Sequence, residues 1–167
     1  MKRKLLVYSC QSHAEGYTNW PVDYIGYKLI SYQPRLGDLN SYGLSTVVNI
    51  LWMLSTRGRF KVLILLDNDI VVHYSYLTPK VFRFPFMKKG DIQVGPCVTH
   101  PSYRGQGVFS RVLSLIPELY PGNNRTVWTY TTEDDIAAQK AFRNAGYSFI
   151  TFAEMSLRTK IIKFLRQ

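Results

Sequence analysis

A mixed β-sheet with helices packed on it, of the α/β or α+β class, is the fold that this sequence predicts. Two β-branched and aromatic runs, at 61–66 and 70–77, are typical of a hairpin. Two strand-helix-strand patterns follow between residues 92 and 152, which favours crossover connections within one sheet. The 167 residues, 46% of them apolar, suffice for one core, so we expect a single domain over 1–167.

The first part of the chain is predicted to contain one strand and one helix. The apolar run 5–8 suits a first or edge strand, and the aromatic-rich segment 9–42 has an irregular pattern. A helix ending at Gly58 is predicted next, because apolar residues recur at helical spacing at Leu44, Val47, Val48, Leu51 and Trp52.

The hairpin and the first crossover follow this helix. Asp67-Asn68-Asp69 separates the two hairpin strands and suits a turn, since these side chains can bond their own backbone. A strand over 92–98 leads through a glycine-containing loop into a second helix, whose apolar spacing is Val108, Val112, Leu115 and Leu119. Because Pro117 lacks a backbone donor, we expect this helix to end near Ile116 and 117–124 to be a connection.

The second crossover consists of a strand over 125–130, a third helix and a strand over 147–152. The third helix is indicated by the spacing of Ala138, Ala141, Phe142 and Ala145. Thr132 with Asp135 suits a variant of the capping box at its start, and Gly146 ends it. We expect the basic tail to add one more strand or a short amphipathic turn.

The charge and cysteine content narrow the possible partners. The formal charge of +10 attracts polyanions, whether nucleic acid, lipid head groups or a phosphorylated cofactor. The sequence contains no nucleic-acid motif and no apolar run of membrane-spanning length, so we expect neither nucleic-acid binding nor stable membrane insertion. Cys10 and Cys97 provide neither a disulfide framework nor a metal-ligand spacing, which favours a cytoplasmic protein without a metal.

The segment 99–107, between a strand and the first turn of a helix, has the composition of an anion-binding loop. Backbone amides at a helix N-terminus have no intrahelical partner and can bind a pyrophosphate. Gly105 and Gly107 would permit the backbone angles and the close approach that this needs, and Arg104 could add a charge-assisted contact. The spacing of the glycines differs from that of the P-loop and from that of the dinucleotide-binding loop, so the sequence does not favour a nucleoside triphosphate or a dinucleotide as ligand. A tight turn into a helix is the alternative interpretation of the loop taken alone.

Pro101-x-x-Arg104-Gly105-x-Gly107 after a strand, followed by a capped helix that ends in Gly146-Tyr147, resembles the acetyl-CoA site of the GNAT superfamily of N-acyltransferases. The resemblance covers 92–152. It implies a mostly antiparallel central sheet with helices on both faces and acetyl-CoA as cosubstrate. It also implies that the pyrophosphate binds the amides of Arg104, Gly105, Gln106, Gly107, Val108 and Phe109. The backbone of Cys97, Val98 and Thr99 would pair with the pantetheine arm and polarise the thioester carbonyl.

The sequence departs from the GNAT pattern at three cofactor positions. Phe109 stands where a small residue is usual, and Asp135 stands where an asparagine commonly contacts the pantetheine. Phe142 occupies the position of the tyrosine that protonates the departing thiolate in many members, and a phenyl ring has no proton to give. The general acid must therefore come from elsewhere.

Tyr147 and His73 are the candidate catalytic residues. Tyr130, Tyr147 and Tyr103 are tyrosines near the relevant elements, and Tyr147, beside the terminal glycine, is the candidate acid among them. The alternative role of Tyr147 is core packing. His73 on the second hairpin strand is a candidate base, and its alternative role is that of a hydrogen-bonded histidine in a half-buried strand. Tyrosines and Trp20 in the segment 9–42 either form a wall of the acceptor pocket or pack that segment onto the sheet.

The resemblance implies an N-acetyltransferase that moves an acetyl group from acetyl-CoA to a primary amine. Neither cysteine has an evident histidine partner motif, so we expect direct transfer in a ternary complex. Gly95-Pro96-Cys97 and Thr99-His100-Pro101 resemble, more loosely, GNAT members that acetylate amino sugars of envelope polysaccharides. The alternatives are an acyl-CoA-binding domain without turnover and a basic module for nucleic acid or a membrane surface. Either a monomer or a homodimer is compatible with the sequence.

Overall fold

The computed structural model describes residues 2–12, 22–24 and 26–165, with the backbone alone for 22–24. Its helices are α1 (Thr46–Thr56), α2 (Val108–Leu119) and α3 (Ile136–Asn144). Short 3-10 turns occur at Ser41–Gly43 and Pro101–Tyr103. The strands are β1 (Lys2–Gln11), β2 (Val22–Tyr24), β3 (Tyr27–Tyr32), β4 (Lys61–Asp67), β5 (Ile70–Pro79), β6 (Ile92–Thr99), β7 (Thr126–Thr131), β8 (Ser148–Ser156) and β9 (Ile162–Phe164).

The strands of the described residues form one mixed sheet in the order β2-β3-β4-β5-β6-β7-β1-β8-β9. Every neighbouring pair is antiparallel except β6 and β7, which are parallel. The predicted mixed, mostly antiparallel sheet is therefore confirmed. The first strand is longer than predicted and lies between β7 and β8, so it is not an edge strand.

Side chains alternate between the two faces of the sheet and build a core on each. On β4, Leu63 and Leu65 belong to a cluster that includes the apolar sides of α2 and α3. Ile64 and its neighbours on the other face pack with Trp52 of α1. Because β4 is buried on both sides, its sequence is a continuous apolar run. Helices cover both faces, as predicted.

The hairpin and both crossovers lie where the sequence predicts them. Asn68 in the hairpin turn has a φ of 53°, a left-handed conformation that asparagine tolerates. The tail forms a strand, β9, which pairs with β8.

Two predicted helix ends need correction. The helix α2 continues through Pro117 to Leu119 instead of ending near Ile116. Proline at that position removes the hydrogen bond to the carbonyl of Leu113, and the hydroxyl of Tyr147 donates to this carbonyl instead at 3.3 Å. At α3 the predicted capping box is wrong, because Asp135 itself is the N-cap and accepts from the amide of Ala138 at 3.0 Å.

The face that α1 buries also differs from the predicted one. Val47 and Leu51 are 67% and 60% exposed, whereas Asn49 is fully buried along with Trp52. The amide of Asn49 donates to the carbonyl of Leu39, and its oxygen accepts from the hydroxyl of Tyr76 at 2.8 Å. These hydrogen bonds satisfy a polar side chain in the core, so the helix rotates away from the orientation that hydropathy indicates.

The early segment 9–42 is more regular than predicted. Its described part contains the end of β1, together with β2 and β3. Both β2 and β3 are added to the sheet beside β4. Tyr17 and Trp20, predicted as possible pocket residues, lie outside the described residues, as does the side chain of Tyr24.

Candidate active site

The strands β6 and β7 separate after a short parallel contact, and this opens the middle of the sheet. Their pairing covers only Ile92 with Val127 and Gln93 with Trp128. On its other side, β6 stays paired with β5 as far as Thr99. In the described part of the chain, the edge of β6 that faces β7 therefore has no strand partner beyond Gln93. Side chains bond the carbonyls of Val94 and Thr99, and the other outward backbone groups of this edge are open to a ligand.

A buried carboxylate holds the two strands together at the base of this opening. Asp91 is 2% exposed and lies directly before β6. Its Oδ1 accepts from the amide of Thr126 at 3.1 Å, and its Oδ2 accepts from Nε1 of Trp128 at 2.9 Å. The amide of Lys88 also donates to Oδ2, at 2.8 Å. The point from which the strands diverge is thus fixed by charge-assisted hydrogen bonds.

A cavity of about 630 Å³ extends through the opening between the two faces of the sheet. Its volume is within the range of small-molecule sites. The half beside α2 and α3 is lined by Phe109, Asp135, Ala138 and Phe142. The half beside α1 is lined by Val48, Leu51, Trp52, Ser55, Val81, Phe82, Arg83, Thr159 and Lys160. Residues of β6 and β7, including Cys97 and Tyr130, line the passage between the halves. Two ligands can therefore meet from opposite faces.

The predicted anion-binding loop lies between β6 and α2. Gly105 and Gly107 have φ values of 76° and 75°, a left-handed conformation that favours glycine. Gly107 is the N-cap of α2 and supplies no side-chain acceptor, so the amides of Val108 and Phe109 have no intrahelical partner. An anion at this helix end would satisfy them.

Side-chain contacts stabilise the loop from three directions. Nε of Arg104 donates to the carbonyl of Thr99 at 3.1 Å, and the side-chain Nε2 of Gln106 donates to the carbonyl of Ser102 at 2.9 Å. The hydroxyl of Tyr103 donates to the Asp67 carboxylate in the hairpin turn at 2.9 Å. The loop is therefore preorganised, while Arg104, Gly105, Gln106 and Gly107 remain exposed.

The predicted strand residues Cys97, Val98 and Thr99 lie on the separated part of β6. Cys97 lines the cavity, and burial raises the pKa of its thiol to about 12 despite a hydrogen bond from Ser75. A thiol with this pKa stays protonated at neutral pH and is a poor nucleophile. Val98 is 39% exposed, and the side chain of Thr99 bonds His73.

Asp135 and Phe142 line the helix-side half of the cavity, but both have structural contacts as well. Besides capping α3, Asp135 accepts from the hydroxyl of Thr131 at 3.1 Å, so both of its carboxylate oxygens have protein partners. Phe142 is 2% exposed and packs edge-to-face with Tyr8 and Phe109, with ring centroids 5.1 Å and 5.9 Å away. These contacts define the wall of the site.

His73 lies behind β6 in a buried hydrogen-bond chain. Its Nδ1 is 2.7 Å from the hydroxyl of Thr99 and its Nε2 is 2.8 Å from that of Ser75, which in turn donates to the sulfur of Cys97. Burial lowers the pKa of His73 to about 3, so the imidazole is neutral at physiological pH. With both nitrogens engaged, its position favours the structural role considered above.

Tyr147 is placed in the core between α2 and α3. It is 2% exposed, and its hydroxyl donates to the carbonyl of Leu113 that Pro117 leaves free. Burial raises the pKa of Tyr147 well above its ordinary value. The phenol hydroxyl thus satisfies a buried carbonyl of α2, and the position of Tyr147 favours a packing role over acid catalysis.

Three functional candidates lie at the α1 side, namely Arg83, Tyr130 and Lys160, and of these the sequence alone points only to Tyr130. Nη2 of Arg83 donates to the hydroxyl of Tyr130 at 3.0 Å, and Nε donates to the carbonyl of Lys160 at 3.0 Å. Burial raises the pKa of Tyr130, while the nearby Arg83 opposes this shift. These residues come together only through the sheet, and no motif marks them.

Comparison with solved structures identifies the fold. A proposed acetyltransferase of the GNAT family from Novosphingobium aromaticivorans matches with a TM-score of 0.59 at 12% identity, over 92% of this chain and 63% of that one. A GNAT-family acetyltransferase from Colwellia psychrerythraea matches with a TM-score of 0.54 at 14% identity, over 89% of this chain and 54% of that one. A functionally unknown protein from Staphylococcus epidermidis has a TM-score of 0.58 at 14% identity, over 92% and 60%.

The chain has the GNAT fold, as these neighbours show, and it spans between 54% and 63% of their lengths. Neither a protein-family model nor a curated protein sequence matches it. At such low identity the similarity defines the fold, and activity is a separate inference.

The described residues lack two further features. None of their helices combines the length and the apolar character needed to cross a membrane. They contain no group of three or more His, Cys, Asp or Glu side chains that could hold a metal ion.

Proposed function

We propose that this protein transfers an acetyl group from acetyl-CoA to a primary amine. The observation that carries the proposal is the cavity between β6 and β7, which extends from Phe109, in the first turn of the helix that follows the glycine-rich loop, to a separate cationic and apolar half on the other face of the sheet. Such a passage lets two substrates meet within one site, which is what direct transfer requires.

The residues of the helix-side half suit the cosubstrate. The amides at the start of α2 would bind the pyrophosphate, together with the loop of Arg104, Gly105, Gln106 and Gly107. The free edge of β6 at Cys97, Val98 and Thr99 would bind the pantetheine arm by backbone hydrogen bonds. Phe109 and Phe142 would limit the space around it, and Asp135 would accept a hydrogen bond.

Acetyl-CoA supplies a thioester, so the amine nitrogen forms a bond to the acetyl carbon, the carbon–sulfur bond breaks, and the amine proton is lost while the thiolate gains one. Phe142 cannot give that proton. Tyr130 lines the passage, and its raised pKa keeps the phenol protonated at neutral pH. Because its oxygen already accepts from Arg83, its own proton is free to be donated to a neighbour. We assign Tyr130 the role of acid.

A ternary complex follows from the state of the other titratable groups. The Cys97 thiol is held protonated by its raised pKa, so an acyl-cysteine route is unfavourable. His73 is neutral, but both of its nitrogens are engaged in the chain behind β6. The amine is therefore expected to enter as the free base, which favours acceptors whose pKa is low or is lowered on binding.

An amino sugar of envelope polysaccharide synthesis is the acceptor class that the sequence suggests. The two free cysteines suit a reducing compartment such as the cytoplasm.

The second candidate function is acyl-CoA binding without turnover, and the observation that favours it is the phenylalanine at 142 in place of a proton donor.

Calorimetric titration with acetyl-CoA tests the site. We expect micromolar binding that persists at raised salt and becomes at least about tenfold weaker in Gly107→Val, because a β-branched residue resists a φ of 75° and would crowd the anion. Gly37→Val is the matched control, since Gly37 is exposed and has open space around it.

Other outcomes would change the conclusion. Binding that disappears with salt and ignores Gly107→Val would favour a basic module. Binding without acetylation of any amine would favour the domain without turnover.

A further inference from the structure

The α1 side of the cavity contains a guanidinium group that has no acidic partner among the described residues. Arg83 lines the cavity, and within the described residues the ion pairs are Lys2 with Glu154 and Lys4 with Glu133. A half-buried arginine without a carboxylate loses hydration without an ionic gain. Hydrogen bonds and neighbouring aromatic rings offset part of this loss, and an anionic ligand would supply the ionic partner.

Protein contacts hold this guanidinium in place and leave part of it free. Nε and Nη2 donate to the carbonyl of Lys160 and the hydroxyl of Tyr130, and the group lies 5.9 Å from the ring of Trp52. In the part of the chain that the structure describes, Nη1 has no hydrogen-bond partner. The side chain is therefore preorganised, with a donor available to a ligand.

The charge around Arg83 has one sign. Lys160 lines the same half of the cavity, while Asp135, the only carboxylate among the described lining residues, is on the opposite half and is engaged with Thr131 and Ala138. Positive potential within a cleft attracts anions and disfavours the protonated form of an amine. Both effects assist the nucleophile that the proposed transfer needs.

The remaining surface of this half is mostly apolar, with Ser55 and Thr159 as its polar residues. Val48, Leu51, Trp52 and Phe82 line it, and Leu51 and Phe82 are 60% and 69% exposed. Exposed apolar groups beside a fixed cation suit a ligand that has both an apolar segment and a negative charge.

We propose that the acetyl acceptor is an amine that carries an anionic group, a carboxylate or a phosphate, together with an apolar segment, and that Arg83 and Lys160 bind this anionic group. The inference rests on the proposed acetyl transfer and specifies its second substrate. A phosphorylated amino sugar meets the charge requirement, whereas a neutral free amino sugar does not.

Two matched pairs of amines test the proposal. Phenylalanine and 2-phenylethylamine differ by a carboxylate, and glucosamine 6-phosphate and glucosamine differ by a phosphate. Thiol release from acetyl-CoA is measured for all four, and calorimetry with CoA present measures binding of the acetylated anionic products. We expect kcat/KM to be at least about tenfold higher for the anionic member of one pair or both, since a charge-assisted contact to arginine is lost in the neutral one. The pair with the larger ratio distinguishes a carboxylate from a phosphate.

Variants of the two cations locate the effect. Arg83→Gln and, separately, Lys160→Gln should reduce the preference for the anionic member, while Arg158→Gln, an exposed tail cation outside the cavity, should leave it unchanged. Because Arg83 also supports the β8–β9 turn, Arg83→Lys and Lys160→Glu serve as second variants. Lys160→Glu should invert the preference if the fold is retained.

The failures of the two proposals are distinguishable. Absence of both acetyl-CoA binding and thiol release would overturn the transferase itself. Two other results would overturn the anionic acceptor alone. One is transfer at equal kcat/KM within both pairs. The other is binding of acetyl-CoA when the anionic amines are not acetylated and their acetylated products do not bind.

Discussion

The resemblance predicts one tyrosine that supplies both an aromatic ring and a proton, and here Phe142 and Tyr130 supply the ring and the hydroxyl separately. Phe142 contributes the aromatic wall of the cosubstrate half, where it packs against Tyr8 and Phe109. Tyr130 contributes a hydroxyl on β7, held by Arg83 and kept protonated by its raised pKa. In the proposed mechanism the proton donor is therefore on a strand instead of a helix, which the position of Phe142 alone does not reveal.

Tyr130→Phe tests this assignment. We expect kcat to fall by about a hundredfold with little change in acetyl-CoA binding, because the substitution removes the proton but retains the ring. Steady-state kinetics with calorimetry measures both quantities, and Tyr42→Phe, at an exposed position, is the control. Adding Phe142→Tyr to Tyr130→Phe should restore part of the rate. An unchanged kcat in Tyr130→Phe would remove Tyr130 from the mechanism.

A second residue-level feature is the chain from Thr99 through His73 and Ser75 to Cys97. Each of its contacts is 3.2 Å or shorter. It links β5 to the separated part of β6, where β7 gives no support. We interpret the chain as a brace that keeps the cosubstrate edge of β6 in position, with the neutral imidazole as its centre.

At the scale of elements, α2 shows how a proline is accommodated near the end of a helix that begins at the anion-binding loop. Pro117 leaves the Leu113 carbonyl without its backbone donor, and Tyr147 supplies a hydroxyl from the start of the strand that follows α3. The bond between Tyr147 and Leu113, next to Pro117, joins α2 to the segment after Gly146. The end of α2 is therefore held by a long-range contact in addition to its own backbone bond from the C-cap residue 120 to the carbonyl of Ile116.

A double-mutant cycle separates the packing role of Tyr147 from a catalytic one. Tyr147→Phe should lower the free energy of unfolding by about 1 kcal/mol, because a buried carbonyl loses its donor. In the Pro117→Ala background the loss should be smaller, since alanine restores a backbone amide for Leu113. Urea denaturation measures the stabilities. A large loss of kcat in Tyr147→Phe at unchanged stability would instead support Tyr147 as the acid.

The elements differ in how far the sequence alone determines them. The hairpin, both crossovers and the loop at Gly105 and Gly107 depend on local spacing and turn residues, and all are found where predicted. The orientation of α1 is not local, because Asn49 is buried by partners on a loop and on β5. Arg83 and Lys160 likewise meet only after the sheet forms, so no sequence pattern marks them.

At the scale of the whole molecule, the sheet consists of two parts that meet along the short parallel contact of β6 with β7. Strands β2 to β6 form one part, and β7, β1, β8 and β9 form the other. We expect the width of the cavity to depend on where this contact ends. Asp91 lies at that point and connects both parts through the amide of Thr126 and the indole of Trp128.

Asp91→Asn should therefore weaken both the fold and the site. Its side-chain nitrogen would face either the amide of Thr126 or the donors of Lys88 and Trp128, and a buried donor facing a donor costs about 2 kcal/mol or more. Urea denaturation measures this loss, and Asp69→Asn, the same change at an exposed turn position, should have little effect. If the parallel contact also sets the width of the cavity, acetyl-CoA binding should weaken under conditions where the variant remains folded. Normal affinity in a destabilised variant would show that the contact supports the fold alone.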